Sequence, residues 1–159
     1  MYYEKIFRIL YTQKVDYLIA GGMAVNLYGI PRFTKDLDIL VDASDKNLLK
    51  LQRALKTLGF RPKAPVTLAN FLNPKNWEKW KRKKGMIAFN LYNPKKPYEE
   101  IDILIQSPVS FKKARGERKV IRAGGLVLYL VSKRHLMIMK RRAGRLQDLA
   151  DIEALKKIE

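Results

Sequence analysis

Cysteine is absent from this sequence, which excludes disulfides, thiolate nucleophiles and Cys-based zinc sites. Histidine is almost as scarce. His135 is the single one, and one imidazole without a Cys or His partner is a poor zinc ligand set, so it reads as structural or solvated. Long hydrophobic runs are also missing. The longest, Leu126 to Val131, falls far short of the ~20 residues a membrane helix needs. Charges at Glu4, Lys5 and Arg8 interrupt the amino-terminal segment from Met1 and Tyr2 onward too early for a signal-peptide core. Together these absences point to a cytoplasmic protein with no membrane partner. Acidic residues are in short supply: 15 Asp and Glu stand against 33 Lys and Arg, a formal net charge of +18. Such a field draws in polyanions. A nucleoside triphosphate or a nucleic acid, RNA such as tRNA above all, suits that charge, against the plain alternative of a lysine-rich solvated surface.

The 159 residues, 47% hydrophobic and 30% charged, are read as one globular domain over 1–159. Helical spacing covers Tyr3 to Tyr11, and a β-rich run covers Val15 to Ala20. After Gly21-Gly22 a short helix runs from Met23 to Tyr28 and stops at Gly29. A strand follows over Leu37 to Val41. A helix capped by Ser44 or Asp45 comes next and ends at Gly59. Pro62, Pro65 and Pro74 break up residues 61–84, the least readable stretch. Strands are expected over Met86 to Tyr92 and Glu100 to Ile105, separated by a turn at 93–97. A short helix follows Pro108. Gly124-Gly125 marks a hairpin between Lys119–Ala123 and Leu126–Val131. Ser132 caps a basic helix to Arg142, Gly144 breaks it, and a last helix covers Leu146 to Ile158. This order predicts an α/β (α+β) fold: a mixed β-sheet flanked by helices, with two helices at the C-terminal end.

Three features carry chemistry. Gly21-Gly22 lies between a strand and a helix, where bare backbone can approach a ligand and N–H groups can meet phosphate; a tight turn needs glycine for its own reasons as well. Asp36-Leu37-Asp38 opens a strand, so both carboxylates share a face. Carboxylates held side by side repel each other and make sense around a divalent cation with oxygen ligands. Glu100-Ile101-Asp102 repeats the pattern on a later strand. If the two strands pair, Asp102 completes a three-carboxylate site able to hold two Mg²⁺ ions, one gripping a triphosphate and one activating an attacking hydroxyl. Glu100 shares the face of Asp102 and can substitute for it or flank it. Glu99 reads as a solvated edge after the Pro97 turn.

The run from Gly21-Gly22-Met23-Ala24 through Gly29-Ile30-Pro31-Arg32-Phe33-Thr34-Lys35 to Asp36-Leu37-Asp38-Ile39 resembles the signature of the DNA polymerase beta-type nucleotidyltransferase superfamily. Its Tyr-Gly-x-x-Arg-x-Thr spacer is closest to the minimal branch that includes the AbiEii-type toxins. Ile101-Asp102-Ile103 is similar to the superfamily's third-carboxylate strand. Lys140, Ala143-Gly144-Arg145, Asp148 and Asp151 resemble that branch's C-terminal segment. The resemblance implies a nucleotidyltransferase-type sheet and transfer of a nucleoside monophosphate from an NTP such as ATP to an acceptor hydroxyl, releasing pyrophosphate. It implies Mg²⁺ or Mn²⁺ on Asp36, Asp38 and Asp102, with Asp102 also helping to deprotonate the acceptor. Gly21 and Gly22 would contact the triphosphate, Arg32 and Thr34 would line the entrance, Lys140 would reach the phosphates, and Asp148 would sit near it. A toxin-type enzyme held by an antitoxin, a homodimer, and a non-catalytic nucleotide- or RNA-binding module of the same fold are the other arrangements compatible with the pattern.

Other features are weaker. Trp77 and Trp80 lie amid Lys79, Lys81 and Arg82, a mixture that can stack bases and hold phosphates. Their three-residue spacing is also what a helix uses to dock on a core, and core packing is the better reading. Lys140 to Arg142 can equally form the solvated face of a helix. Asp148 and Asp151 can be paired with Arg145 along one helix.

Overall fold

The computed structural model describes residues 3–159; Met1 and Tyr2 lie outside them. Helix α1 (Glu4–Thr12) turns Ile6, Phe7 and Leu10 into the core. It ends at Lys14, whose φ is +55°. There the Lys14 N–H donates to Tyr11 O at 2.9 Å and the Val15 N–H to Leu10 O at 3.0 Å. Glycine is the usual residue at such a left-handed cap, and a side chain there costs about 1–2 kcal/mol. Strand β1 (Tyr17–Ile19) is shorter than expected, because the Val15 and Asp16 N–H groups are taken by Leu10 O and Asn47 Oδ1. Helix α2 (Gly21–Leu27) begins two residues before the expected Met23, so the glycine pair forms its first turn. Strand β2 (Asp36–Val41) gains Asp36. Helix α3 (Asp45–Leu58) starts at the Ser44 cap and stops at Gly59, whose φ is +80°, as the sequence predicts.

The proline-broken stretch resolves into strand β3 (Arg61–Pro62), helix α4 (Leu68–Phe71) and helix α5 (Pro74–Lys84). Pro74 stands at the start of α5, where its missing N–H does no harm. Strands β4 (Ala88–Asn93) and β5 (Lys96–Leu104) form a hairpin closed around Pro94 and Lys95. Helix α6 (Phe111–Gly116), the hairpin β6 (Lys119–Ala123) and β7 (Leu126–Leu130), helix α7 (Lys133–Ala143) and helix α8 (Leu146–Lys156) complete the chain.

One sheet orders its strands β3-β4-β5-β2-β1-β7-β6. The β2–β5 and β1–β7 pairs are parallel and the other four antiparallel, so the sheet is mixed, as predicted. Leu37, Ile39, Ile101 and Ile103 are fully buried and alternate with the aspartates on their strands, which directs the acids to the opposite face.

Trp77 and Trp80 pack inward rather than forming an exposed base-stacking platform. Phe71 stacks on Phe89 with ring centroids 3.6 Å apart, and both tryptophans stack on this pair. The Trp77 indole N–H donates to Phe71 O at 2.5 Å. Phe71 is therefore the hub joining α4 and α5 to the sheet. Phe71→Ala is expected to destabilise the chain by about 3–5 kcal/mol. Urea denaturation followed by tryptophan fluorescence measures this, and a loss under ~1 kcal/mol would mean that the stack is peripheral.

Candidate active site

The parallel β2–β5 ladder sets Asp36 opposite Glu100 and Asp38 opposite Asp102. The antiparallel β4–β5 ladder adds Asn90 beside Asp102. Four carboxylates thus occupy two adjacent rungs on one sheet face. The Asn90 amide donates to Asp102 Oδ1 at 2.6 Å. Glu100 flanks the group rather than standing in for Asp102: Lys35 reaches its Oε1 at 2.5 Å and Lys63 its Oε2 at 2.7 Å. These two hydrogen bonds hold Glu100 below its ordinary carboxylate range. Glu99, expected at a solvated edge, is buried. The β4–β5 turn folds over it, and Asn93 and Lys96 donate to its two oxygens.

The remaining acids are pushed the other way. Burial, followed by repulsion from Asp102 and Asp36, raises Asp38 to about 7, with Lys140 and Arg145 opposing the shift. Asp36 is raised by burial and then by Asp102 and Glu100. Asp102 is raised chiefly by burial, which the Asn90 hydrogen bond offsets in part. Asp36 Oδ1 is buried, with no hydrogen-bond partner among the described residues.

The glycine pair has a packing reason that the sequence did not reveal. A Cβ on Gly21 would lie 1.9 Å from Asp38 Oδ2, and one on Gly22 would lie 2.7 Å from Thr34 Oγ1 and 3.2 Å from Arg32 Cζ. Glycine here lets the backbone meet Asp38, Arg32 and Thr34 at once. The Ala20 N–H fixes the contact by donating to Asp38 O at 2.9 Å. The Thr34 hydroxyl donates to Asp36 O at 3.3 Å, and the Arg32 N–H to Asn26 Oδ1 at 2.8 Å.

Lys140 is 4% exposed, so it does not belong to a solvated helix face. Its Nζ lies 2.7 Å from Asp151 Oδ2 and 3.2 Å from Asp148 Oδ1. Asp151 also pairs with Arg32, and Asp148 pairs with Arg145 at 2.7 Å. Pairing along one helix accounts for Asp148 with Arg145 but not for the ion pairs of Asp151, whose charged partners lie on other elements while Gln147 of α8 donates to its Oδ1 at 3.0 Å. Burial acts to raise Asp148, but Arg145 and Lys140 outweigh it and leave it lowered. His135 is fully buried, with its Nδ1 unpaired among the described residues and its Nε2 3.6 Å from Glu117, so it is not solvated. Burial lowers its pKa.

Asp36, Asp38, Asp102, Gly21, Gly22, Arg32 and Thr34 are brought together directly. Lys140 and Asp148 join through Arg32 and Asp151 and through the field of Lys140 and Arg145 on Asp38. Sequence reading missed Asn90, Lys35 and Lys63. No local pattern pointed to any of them, because each acts through a partner on another strand or segment. For a divalent cation the donor set fits: hard carboxylate oxygens, one of them buried and unpaired. Yet among the described residues no three such groups converge tightly enough to enclose an ion as they stand.

Because Asp38 is raised from 3.8 to about 7, its ionisation disfavours the fold. Its stabilising contribution is full below about pH 4 and is lost as pH rises through 7. The metal-free Tm should therefore fall across that window more steeply than in Asp38→Asn. Parallel Tm profiles for the two proteins would mean that Asp38 ionises unhindered.

No known family's sequence profile matches the chain, and no curated protein matches it in sequence. Solved structures do match in fold. The lincosamide antibiotic adenylyltransferase LnuA, in a lincomycin-bound structure, is 18% identical with a TM-score of 0.61, covering 97% of this chain and 94% of that one. ANT(2")-Ia in complex with adenylyl-2"-tobramycin is 13% identical with a TM-score of 0.60, covering 95% and 83%. An antigenic nucleotidyltransferase-like protein from Paracoccidioides brasiliensis is 20% identical with a TM-score of 0.58, covering 94% and 71%. The chain has the mixed α/β fold of these nucleotidyltransferases.

Proposed function

We propose that this single domain transfers a nucleoside monophosphate from an NTP to an acceptor hydroxyl. The observation that carries the reading is the Asp38–Asp102 rung packed against the side-chain-free Gly21: a carboxylate pair next to bare backbone. Asp36, Asp38 and Asp102 would hold Mg²⁺ or Mn²⁺, which supplies charge neutralisation at the phosphates. Gly21 and Gly22 leave room for the triphosphate, and Arg32 and Thr34 line its approach. The acceptor oxygen forms a bond to the α-phosphorus as the bond to the β-phosphate bridging oxygen breaks. Pyrophosphate leaves, and the hydroxyl proton passes to Asp102. Asn90 orients Asp102 by occupying Oδ1. Lys140 and Asp148 act from behind, Lys140 through its field on Asp38 and Asp148 by fixing Lys140. Positioning and fixed charge supply most of the acceleration.

The +18 charge favours RNA, tRNA included, as acceptor. A small molecule is the class seen in the neighbours that hold lincomycin and adenylyl-2"-tobramycin, and a protein hydroxyl completes the set. All three carboxylate positions are filled, which favours catalysis over a non-catalytic nucleotide-binding module. A toxin-type enzyme restrained by an antitoxin is the same chemistry under control.

Incubation with each α-labelled NTP, Mg²⁺ or Mn²⁺, and either total RNA or the protein alone is expected to give labelled acceptor. The label should vanish in Asp36→Ala/Asp38→Ala. Absence of both transfer and metal-dependent NTP binding would refute the enzyme reading. Asn90→Ala should lower kcat by about tenfold to a hundredfold without loss of fold, because it frees Asp102 to rotate. An unchanged kcat would remove Asn90 from the machinery.

A further inference from the structure

A second cleft, of about 370 Å³, opens between the end of α1, the start of β1 and helix α6. None of its lining residues belongs to the carboxylate site, and its size is that of a small-molecule pocket. Four rings, Tyr11, Tyr17, Phe111 and Tyr129, share it with three cations, Lys14, Arg115 and Arg118. Asp16 is the one acid in its wall, and it meets Arg115 at 3.5 Å, so two cations stay uncompensated within the cleft. Arg118 lies over the Tyr129 ring, 5.5 Å from its centroid, and its Nη1 donates to Arg115 O at 2.8 Å. Tyr17, also in the wall, is buried, and its hydroxyl has no hydrogen-bond partner among the described residues.

Lys14 points the same way by an independent route. It is the one non-glycine among the described residues with a positive φ, at a cap where glycine would fit without strain. Backbone geometry therefore disfavours the lysine that stands at the rim, where its positive charge adds to those of Arg115 and Arg118.

Aromatic faces with adjacent cations suit a planar base carrying phosphate, since stacking tolerates every base and the cations match the phosphate charge. We propose that this cleft binds a nucleotide unit, its base among Tyr11, Phe111 and Tyr129 and its phosphate on Lys14, Arg115 and Arg118. A free mononucleotide and one unit of a single-stranded chain present the same chemistry. From Tyr17 at the cleft the chain runs through β1 and Ala20 to Gly21 at the start of α2, about 13 Å of extended chain, so a strand bound here lies within a few nucleotides of the carboxylates.

Binding of AMP by calorimetry and of a labelled octaadenylate by anisotropy, on the full chain in EDTA, tests this apart from the transfer reaction. Lys14→Gly and Arg118→Ser are each expected to weaken binding about fivefold or more. Asp36→Asn/Asp38→Asn should not weaken it, and Lys14→Gly should not lower Tm. Weakened AMP binding identifies a free-nucleotide site; an effect on octaadenylate alone identifies a chain unit. Wild-type affinity in both variants overturns the proposal, as does ribose 5-phosphate binding as tightly as AMP together with an abasic octamer binding as tightly as octaadenylate. If transfer is never detected, cleft binding is still expected, so the two readings fail separately.

Discussion

Asp38 and Asp102 face each other across a parallel ladder, and like charges so placed repel. The surrounding structure works against that repulsion. Leu37, Ile39, Ile101 and Ile103, all fully buried, lock the register, because a slip of one residue would turn the acids into the core. Asn90 gives Asp102 a donor, and Lys35 and Lys63 neutralise Glu100, so the neighbouring rung carries one compensated acid beside Asp36. Gly21 contributes by omission, since its missing side chain is the space Asp38 occupies.

Behind this group runs a chain of ion pairs, Arg32 to Asp151 to Lys140 to Asp148 to Arg145. Three cations meet two acids, which leaves one surplus positive charge. Lys140 and Arg145 both act on Asp38 to favour its ionised form. A buried lysine is tolerable only with its carboxylates in place, and removing one partner would strand a charge in the interior. The network also ties the segment before β2 to helices α7 and α8. The C-terminal helices thereby reach the site electrostatically, without presenting Lys140 to solvent.

Much of this was legible in the sequence. Alternation of acids and aliphatics gave β2 and β5 their faces, and the Ser44, Gly59, Ser132 and Gly144 punctuation placed α3 and α7 to within a residue. What stayed hidden depended on register and on long-range partners. Nothing local distinguishes Asn90 from any solvated asparagine until β4 is laid beside β5. Glu99 looked solvated because the turn that covers it is built from Asn93 and Lys96, whose side chains fold back only once the hairpin forms. Lys140 sits in a basic run, and no helical periodicity reveals that its carboxylate partners come from the following helix. Residues 61–84 were opaque because their order comes from Phe71 stacking on Phe89 in a distant strand, a tertiary contact without a local pattern.

The acidic residues are concentrated in one part of the molecule. The chain holds fifteen acidic residues, and six of them (Asp36, Asp38, Glu100, Asp102, Asp148 and Asp151) belong to the carboxylate rungs or to the ion-pair network behind them. Nine remain against most of the 33 Lys and Arg, so the positive excess lies outside the carboxylate rungs. A polyanion is thus attracted by the molecule as a whole and repelled at the carboxylate rungs. Those rungs can accept a phosphate group only once their own charge is reduced, by a divalent cation or by protonation. Burial first, and then repulsion from Asp102 and Asp36, raises Asp38, so the same packing that fixes the rungs also sets their resistance to a further negative charge.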